Sequence, residues 1–115
     1  MFDFEKLQVY QKSKLLNRNL NSLIKNKRLD YVFSDQLKRA SLSILLNIAE
    51  GSGKLSNKDK RNYYFRARGS LYECAAIIDI LNHESIVSNL EHDKCYVQLE
   101  EISKMLYGLI SSMKI

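Results

Sequence analysis

Apolar residues recur along this chain at intervals of three and four almost from end to end, the period of helices buried on one side. From about Phe4 to Lys27, Val9, Leu16, Leu20 and Leu23 form one stripe, widened by Leu7, Tyr10, Leu15 and Ile24. The segment Asn26–Asp30 breaks that period and sets cations where a helix C-terminus favours them. A second pattern opens at Ser34, a suitable N-cap, with Phe33 before it as a hydrophobic staple and Asp35 in the first turn. Leu37, Ser41, Ile44 and Ile48 make one of its stripes, and Leu42, Leu45, Leu46 and Ala49 make another. A helix apolar on that many sides needs cover from more than its own bundle, which predicts oligomerisation.

Gly51 and Gly53 stop this second helix, each suited to a left-handed C-terminal position. Ser56 and Asp59 have capping-box spacing and open a third helix. Tyr64, Ala67, Leu71, Cys74, Ile78 and Leu81 define its buried stripe, interrupted on another side by Gly69. A helix-interior glycine costs about 1 kcal/mol relative to alanine. The alternatives are a close backbone neighbour, room needed by Arg68 and Ser70, or a glycine merely tolerated there. Ser88 and Glu91 form a second capping box, ahead of a stripe of Cys95, Leu99, Ile102, Leu106, Leu109 and Met113. Four helices of roughly 20–25 residues, each about 30–37 Å long, predict an all-α, up-down-up-down antiparallel four-helix bundle, with residues 1–115 as one domain.

Composition supports this reading. Among 115 residues there is no proline and no tryptophan, 45% are hydrophobic and 27% charged, so a disordered chain is excluded. No apolar run approaches the roughly 20 residues that cross a bilayer, and the first residues resemble neither a secretory signal nor a transit peptide. The expected location is the cytoplasm, with Cys74 and Cys95 as buried reduced thiols on apolar stripes.

Candidate chemistry is sparse. Gly51-Ser52-Gly53-Lys54 lacks the upstream glycine and the Ser/Thr of a phosphate loop, and it follows a helix instead of a strand. His83 and His92 flank the third loop, and His92 with Cys95 makes at most half a metal site, so both histidines read as exposed loop residues. Glu50 and Glu73 lack the Glu-x-x-His partners of di-iron bundles. No nucleophile–base spacing is present either, so the sequence points to no enzyme, no cofactor and no metal.

Charge is what remains. The net +5 divides into +9 up to Gly69, from fifteen cations and six anions, and −4 beyond it, from three cations and seven anions. The densest part is Lys54–Arg68, where Lys58, Arg61, Phe65 and Arg68 share one helical face, with Lys60, Tyr63 and Tyr64 around the corner. Cations interleaved with aromatics suit phosphate contacts and base stacking, although a solvated face with core-directed tyrosines has the same pattern. The predicted nucleic-acid-binding residues are Lys54, Lys58, Lys60, Arg61 and Arg66, with Lys38 and Arg39 as neighbours. The alternative is a scaffold for a protein partner.

Three segments carry a family resemblance: Asp3–Ser13 at the start, Asp35–Ile44 followed by Asn47-Ile48-Ala49-Glu50-Gly51, and Phe65–Cys74. Together they resemble the four-helix-bundle proteins encoded in intervening sequences of bacterial 23S ribosomal RNA genes, often labelled S23 ribosomal protein. These are similar to the accessory variability determinant of diversity-generating retroelements. The resemblance implies a homopentameric, barrel-like assembly with a basic surface and, by way of the retroelement relatives, binding to nucleic acid and to a reverse transcriptase. It also implies a polar network of Asn47, Glu50, Arg68, Ser70 and Glu73 around Gly51 and Gly69, with Arg68 paired to Glu50. Leu45-Leu46 stands where the family commonly has Pro-Ser, which predicts a straighter second helix. Tyr10 stands where Trp is common.

Overall fold

The computed structural model describes residues 1–114, and among them four long helices carry the fold: α1 (Gln8–Lys27), α2 (Tyr31–Ser52), α3 (Asn57–His83) and α4 (Asn89–Ser112). They follow the expected antiparallel bundle, with α1 against α2, α2 against α3, α3 against α4 and α4 back against α1. The molecule measures 44 × 23 × 21 Å. Its long axis is therefore about one helix, since α3's 27 residues rise about 40 Å.

The helix starts follow cap chemistry, with two shifts from the sequence expectation. Residues Asp3–Lys6 form a short 3-10 turn, and α1 begins only after the extended Leu7, not at Phe4. Arg28 closes α1 in the left-handed region (φ 48°), and the Leu29 amide then donates back to the Ile24 carbonyl at 3.3 Å. The next residue but one, Asp30, caps α2 by accepting from the Phe33 amide at 3.0 Å. Ser34 therefore lies inside α2, because an equally good N-cap residue precedes it by four positions. Ser56 accepts from the Asp59 amide at 3.1 Å to open α3. At α4 both bonds of the Ser88–Glu91 capping box form.

The core follows the stripes: Leu16, Leu20, Ile44, Ile48, Ile78, Leu81, Leu99 and Leu106 are fully enclosed, as is the Tyr64 ring. Leu15 is the misplaced member of the α1 stripe; it is exposed, whereas Ser13 is buried. On α2, Leu45 is buried but Leu42 and Leu46 stay about half exposed, at 49% and 53%. The helix runs uninterrupted through Leu45-Leu46, as the missing proline implies.

Glycine roles are exchanged relative to expectation. Neither Gly51 nor Gly53 adopts positive φ; Gly53 is right-handed at φ −87°. Gly51 is instead the close-approach glycine, since a Cβ there would lie 2.9 Å from Tyr63 Cβ and 2.9 Å from Tyr64 Cε1. Gly69 has open space around its missing side chain, with nothing within 4 Å. No helix among the described residues is long and apolar enough to cross a membrane.

Candidate nucleic-acid interface

The basic residues come to the surface on the first half of α3, which is fixed at both flanks. Gly51 lets α2 approach the Tyr63–Tyr64 turn, and Tyr64 drops into the core as the deepest aromatic. With that ring inside, helical periodicity puts Lys58, Phe65 and Tyr72 on the outside, with Arg61 half-buried beside them. Each arginine of this helix then settles on an aromatic ring. Arg61 stands 5.7 Å from the Phe65 centroid, Arg66 4.8 Å from that of Tyr63, and Arg68 4.9 Å from that of Tyr72. Lys54, from the preceding loop, lies 5.0 Å from the Tyr63 ring, opposite in sequence to Arg66. Such contacts hold a cation in place without neutralising it.

Ion pairs are few among the described residues, and the α3 cations share their unpaired state with most of the other lysines and arginines. Lys12 pairs with Glu101 at 2.7 Å and Lys27 with Glu91 at 2.8 Å, both tying α1 to α4. Arg39 is bound within its own helix to Asp35 at 2.9 Å. Among the described residues, Lys54, Lys58, Arg61, Arg66 and Arg68 make no ion pair. Arg61 Nε and Arg68 Nε are enclosed without a hydrogen-bond partner, which leaves the terminal amino groups as the donors each guanidinium presents outward.

The expected site residues therefore divide. Lys58 and Arg61 belong to the α3 face with Phe65 and Arg68, whereas Arg66, about 200° from Arg68, joins Lys54 at the Tyr63 ring on the neighbouring flank. Lys60 turns inward, where its ammonium donates to the Ser52 carbonyl at 2.9 Å and caps the end of α2. Lys38 lines a separate groove between α1 and α2 with Asn17, Asn21 and Lys25. Arg39 lies outward on α2 beside Leu42, Leu46 and Glu50.

The implied polar network is smaller than expected. Ser70 Oγ is 2.8 Å from Ser43 Oγ, and the Asn47 amide donates to the Ser43 carbonyl at 2.8 Å and to its hydroxyl at 3.0 Å. Arg68 donates to Tyr72 Oη at 3.0 Å and makes no ion pair with Glu50. The cause is rotation: residues two apart on a helix point about 200° from one another, so Ser70 facing α2 puts Arg68 on the far flank. Glu50 and Glu73 are exposed and outside the network. Ser43, its hub, escaped the sequence reading because serine inside an apolar run gives no signal of its partner.

The histidines also differ from expectation. His83 is exposed at the end of α3, but His92 is half-buried in the first turn of α4, stacked on Tyr96 at 4.0 Å, with Asp93 3.2 Å away. Cys74 and Cys95 are both buried and free. Burial, with Glu73 adding to it, pushes the Cys74 thiol up to about 12.

The sequence profile of the 23S rRNA-intervening sequence protein family matches residues 5–108. The chain belongs to that family. A solved structure similar to it is a protein of unknown function from the S23 ribosomal protein family of Bacteroides thetaiotaomicron VPI-5482. The two share 24% identity over 90% of this chain and 99% of the other, with a TM-score of 0.82, which establishes a common fold. No curated protein matches the chain. The family match spans the α3 face, the Ser43–Ser70 contact and the Gly51 joint alike.

Proposed function

We propose that this family member is a non-enzymatic, cytoplasmic, homo-oligomeric bundle that binds RNA or DNA through phosphate contacts on the α3 face. The observation that carries the reading is the series of cations seated on aromatic rings along α3: Arg61 on Phe65 and Arg68 on Tyr72, with Lys58 ahead of them, and Arg66 and Lys54 on Tyr63 at the neighbouring flank. Phosphate oxygens would supply the acceptors that the chain itself does not. Leu42 and Leu46, half exposed on the outer side of α2, support self-association, for which the family resemblance gives five copies. A ring of copies repeats the basic face and sums its field.

Replacing Lys58 and Arg61 by Glu is expected to weaken binding to an oligonucleotide strongly in a mobility-shift assay while leaving the light-scattering mass unchanged. Unaltered binding by that variant refutes the site. The same Leu42–Leu46 ridge favours a second reading, a scaffold for a protein such as a reverse transcriptase. That reading predicts a partner held independently of salt and no shift of nucleic acid.

A further inference from the structure

We infer that the α3 face takes single-stranded nucleic acid and stacks its bases in a notch between Phe65 and Tyr72; the inference rests on the nucleic-acid reading above. Phe65, Arg68, Gly69 and Tyr72 line an open notch of about 330 Å³. They occupy the i, i+3, i+4 and i+7 positions of one helical face, the spacing that helices ordinarily bury. Here both rings stand about half exposed, at 51% and 55%.

Gly69 is the decisive residue. It sits mid-helix at a cost in stability, yet nothing in the chain occupies the space of its missing side chain. Gly51, by contrast, is required by Tyr63 and Tyr64. A floor without a side chain, between two aromatic walls about 10.5 Å apart along the helix, admits flat groups to the ring faces.

The walls are built alike. Arg61 with Phe65 and Arg68 with Tyr72 are the same arginine–aromatic pair at i, i+4, repeated seven residues later. Each brings a ring and a cation to one place, the combination that binds a base and its phosphate without reading sequence. An apolar protein segment would cover the rings but leave both guanidinium groups unmatched. Lys58 extends the positive charge on the N-terminal side, and Glu73, one turn beyond Gly69, marks its limit. Paired bases in a duplex present no free faces, so the notch selects single strands.

The test compares a labelled oligothymidylate with an abasic oligomer of equal length and charge, by fluorescence anisotropy. The wild type is expected to bind the thymidylate roughly 5- to 140-fold more tightly, the range for one stacked base. Phe65→Leu/Tyr72→Leu is expected to lose that preference and keep its affinity for the abasic strand. Gly69→Leu, which fills the notch, is expected to do the same while remaining folded by circular dichroism. Equal wild-type affinity for both strands overturns the stacking inference and leaves the phosphate reading standing, whereas binding to neither overturns both. A fall in light-scattering mass on Gly69→Leu shows that a second copy occupies the notch, which also overturns the inference.

Discussion

Replacing each of two helical glycines by alanine is expected to move stability in opposite directions. Alanine is favoured over glycine inside a helix by about 1 kcal/mol. At Gly69 the new methyl meets nothing within 4 Å, so the gain is realised as about 0.5–1 kcal/mol. At Gly51 the new Cβ would stand 2.9 Å from Tyr63 Cβ, 2.9 Å from Tyr64 Cε1 and 3.2 Å from Tyr64 Cδ1. Tyr64 is 2% exposed, so its ring cannot swing aside into solvent. Overpacking of this kind costs about 1–3 kcal/mol, which outweighs the propensity gain by up to about 2 kcal/mol. At about 4 °C per kcal/mol for a domain of this size, Gly69→Ala raises Tm by roughly 2–4 °C and Gly51→Ala lowers it by up to about 8 °C. Thermal unfolding followed by far-UV circular dichroism, at one protein concentration throughout, reads both shifts. A Gly51→Ala protein as stable as Gly69→Ala refutes the close α2–α3 approach, and a destabilised Gly69→Ala refutes the open face.

The cations of α3 are expected to separate by role: Lys60→Met costs about 1 kcal/mol in denaturant unfolding through the lost bond to Ser52 and spares nucleic-acid binding, whereas Lys58→Met does the reverse. Lys27, hydrogen-bonded at 2.8 Å, is the main reason Glu91 is held below the usual carboxylate range, with the Ser88 amide second. Because its folded value is lowered, its contribution to stability is present above about pH 4.3 and disappears as pH falls through the lowered value; Glu91→Gln should flatten that part of the Tm–pH curve. Cys74, with its thiol pushed up to about 12, is expected to resist Ellman's reagent at pH 8 until the protein is unfolded, and rapid labelling of the native protein would contradict its burial.

The bundle was legible because its signal is redundant. The stripe from Tyr64 to Leu81 and that from Cys95 to Leu106 each repeat the helical period over several turns, and the Ser56 and Ser88 caps bound them chemically; past Leu106 the buried position is Ile110, with the expected Leu109 and Met113 half-buried. What escaped is what depends on a partner across space. Asp30 and Ser34 are both acceptable N-caps, and the left-handed Arg28 decides between them by turning the chain back at once. Gly51 and Gly69 look alike in a linear string, and only the position of the Tyr63–Tyr64 turn makes one a packing requirement and the other an opening.

The candidate site shows the same division. Clustering of charge between Lys54 and Arg68 was plain from composition by segment. Which cations turn inward was not, because Lys60 lies on the core side of the helix while Lys58, two residues earlier, points about 200° away. The Arg68–Glu50 pairing failed for the same geometrical reason, and the contact that does join α2 to α3 at that level uses Ser43 and Ser70.

The central claim, phosphate binding by the α3 face, is tested most directly by the salt dependence of affinity for a single-stranded oligonucleotide. Four cations of α3, Lys58, Arg61 and Arg68 on that face and Arg66 on the neighbouring flank, each engaging one phosphate, predict a slope of log K against log salt of about −2.8 per protomer, at roughly 0.7 per contact. Lys58→Glu/Arg61→Glu should reduce the magnitude to about 1.4 or less. A slope near zero, or one unchanged in that variant, contradicts the claim.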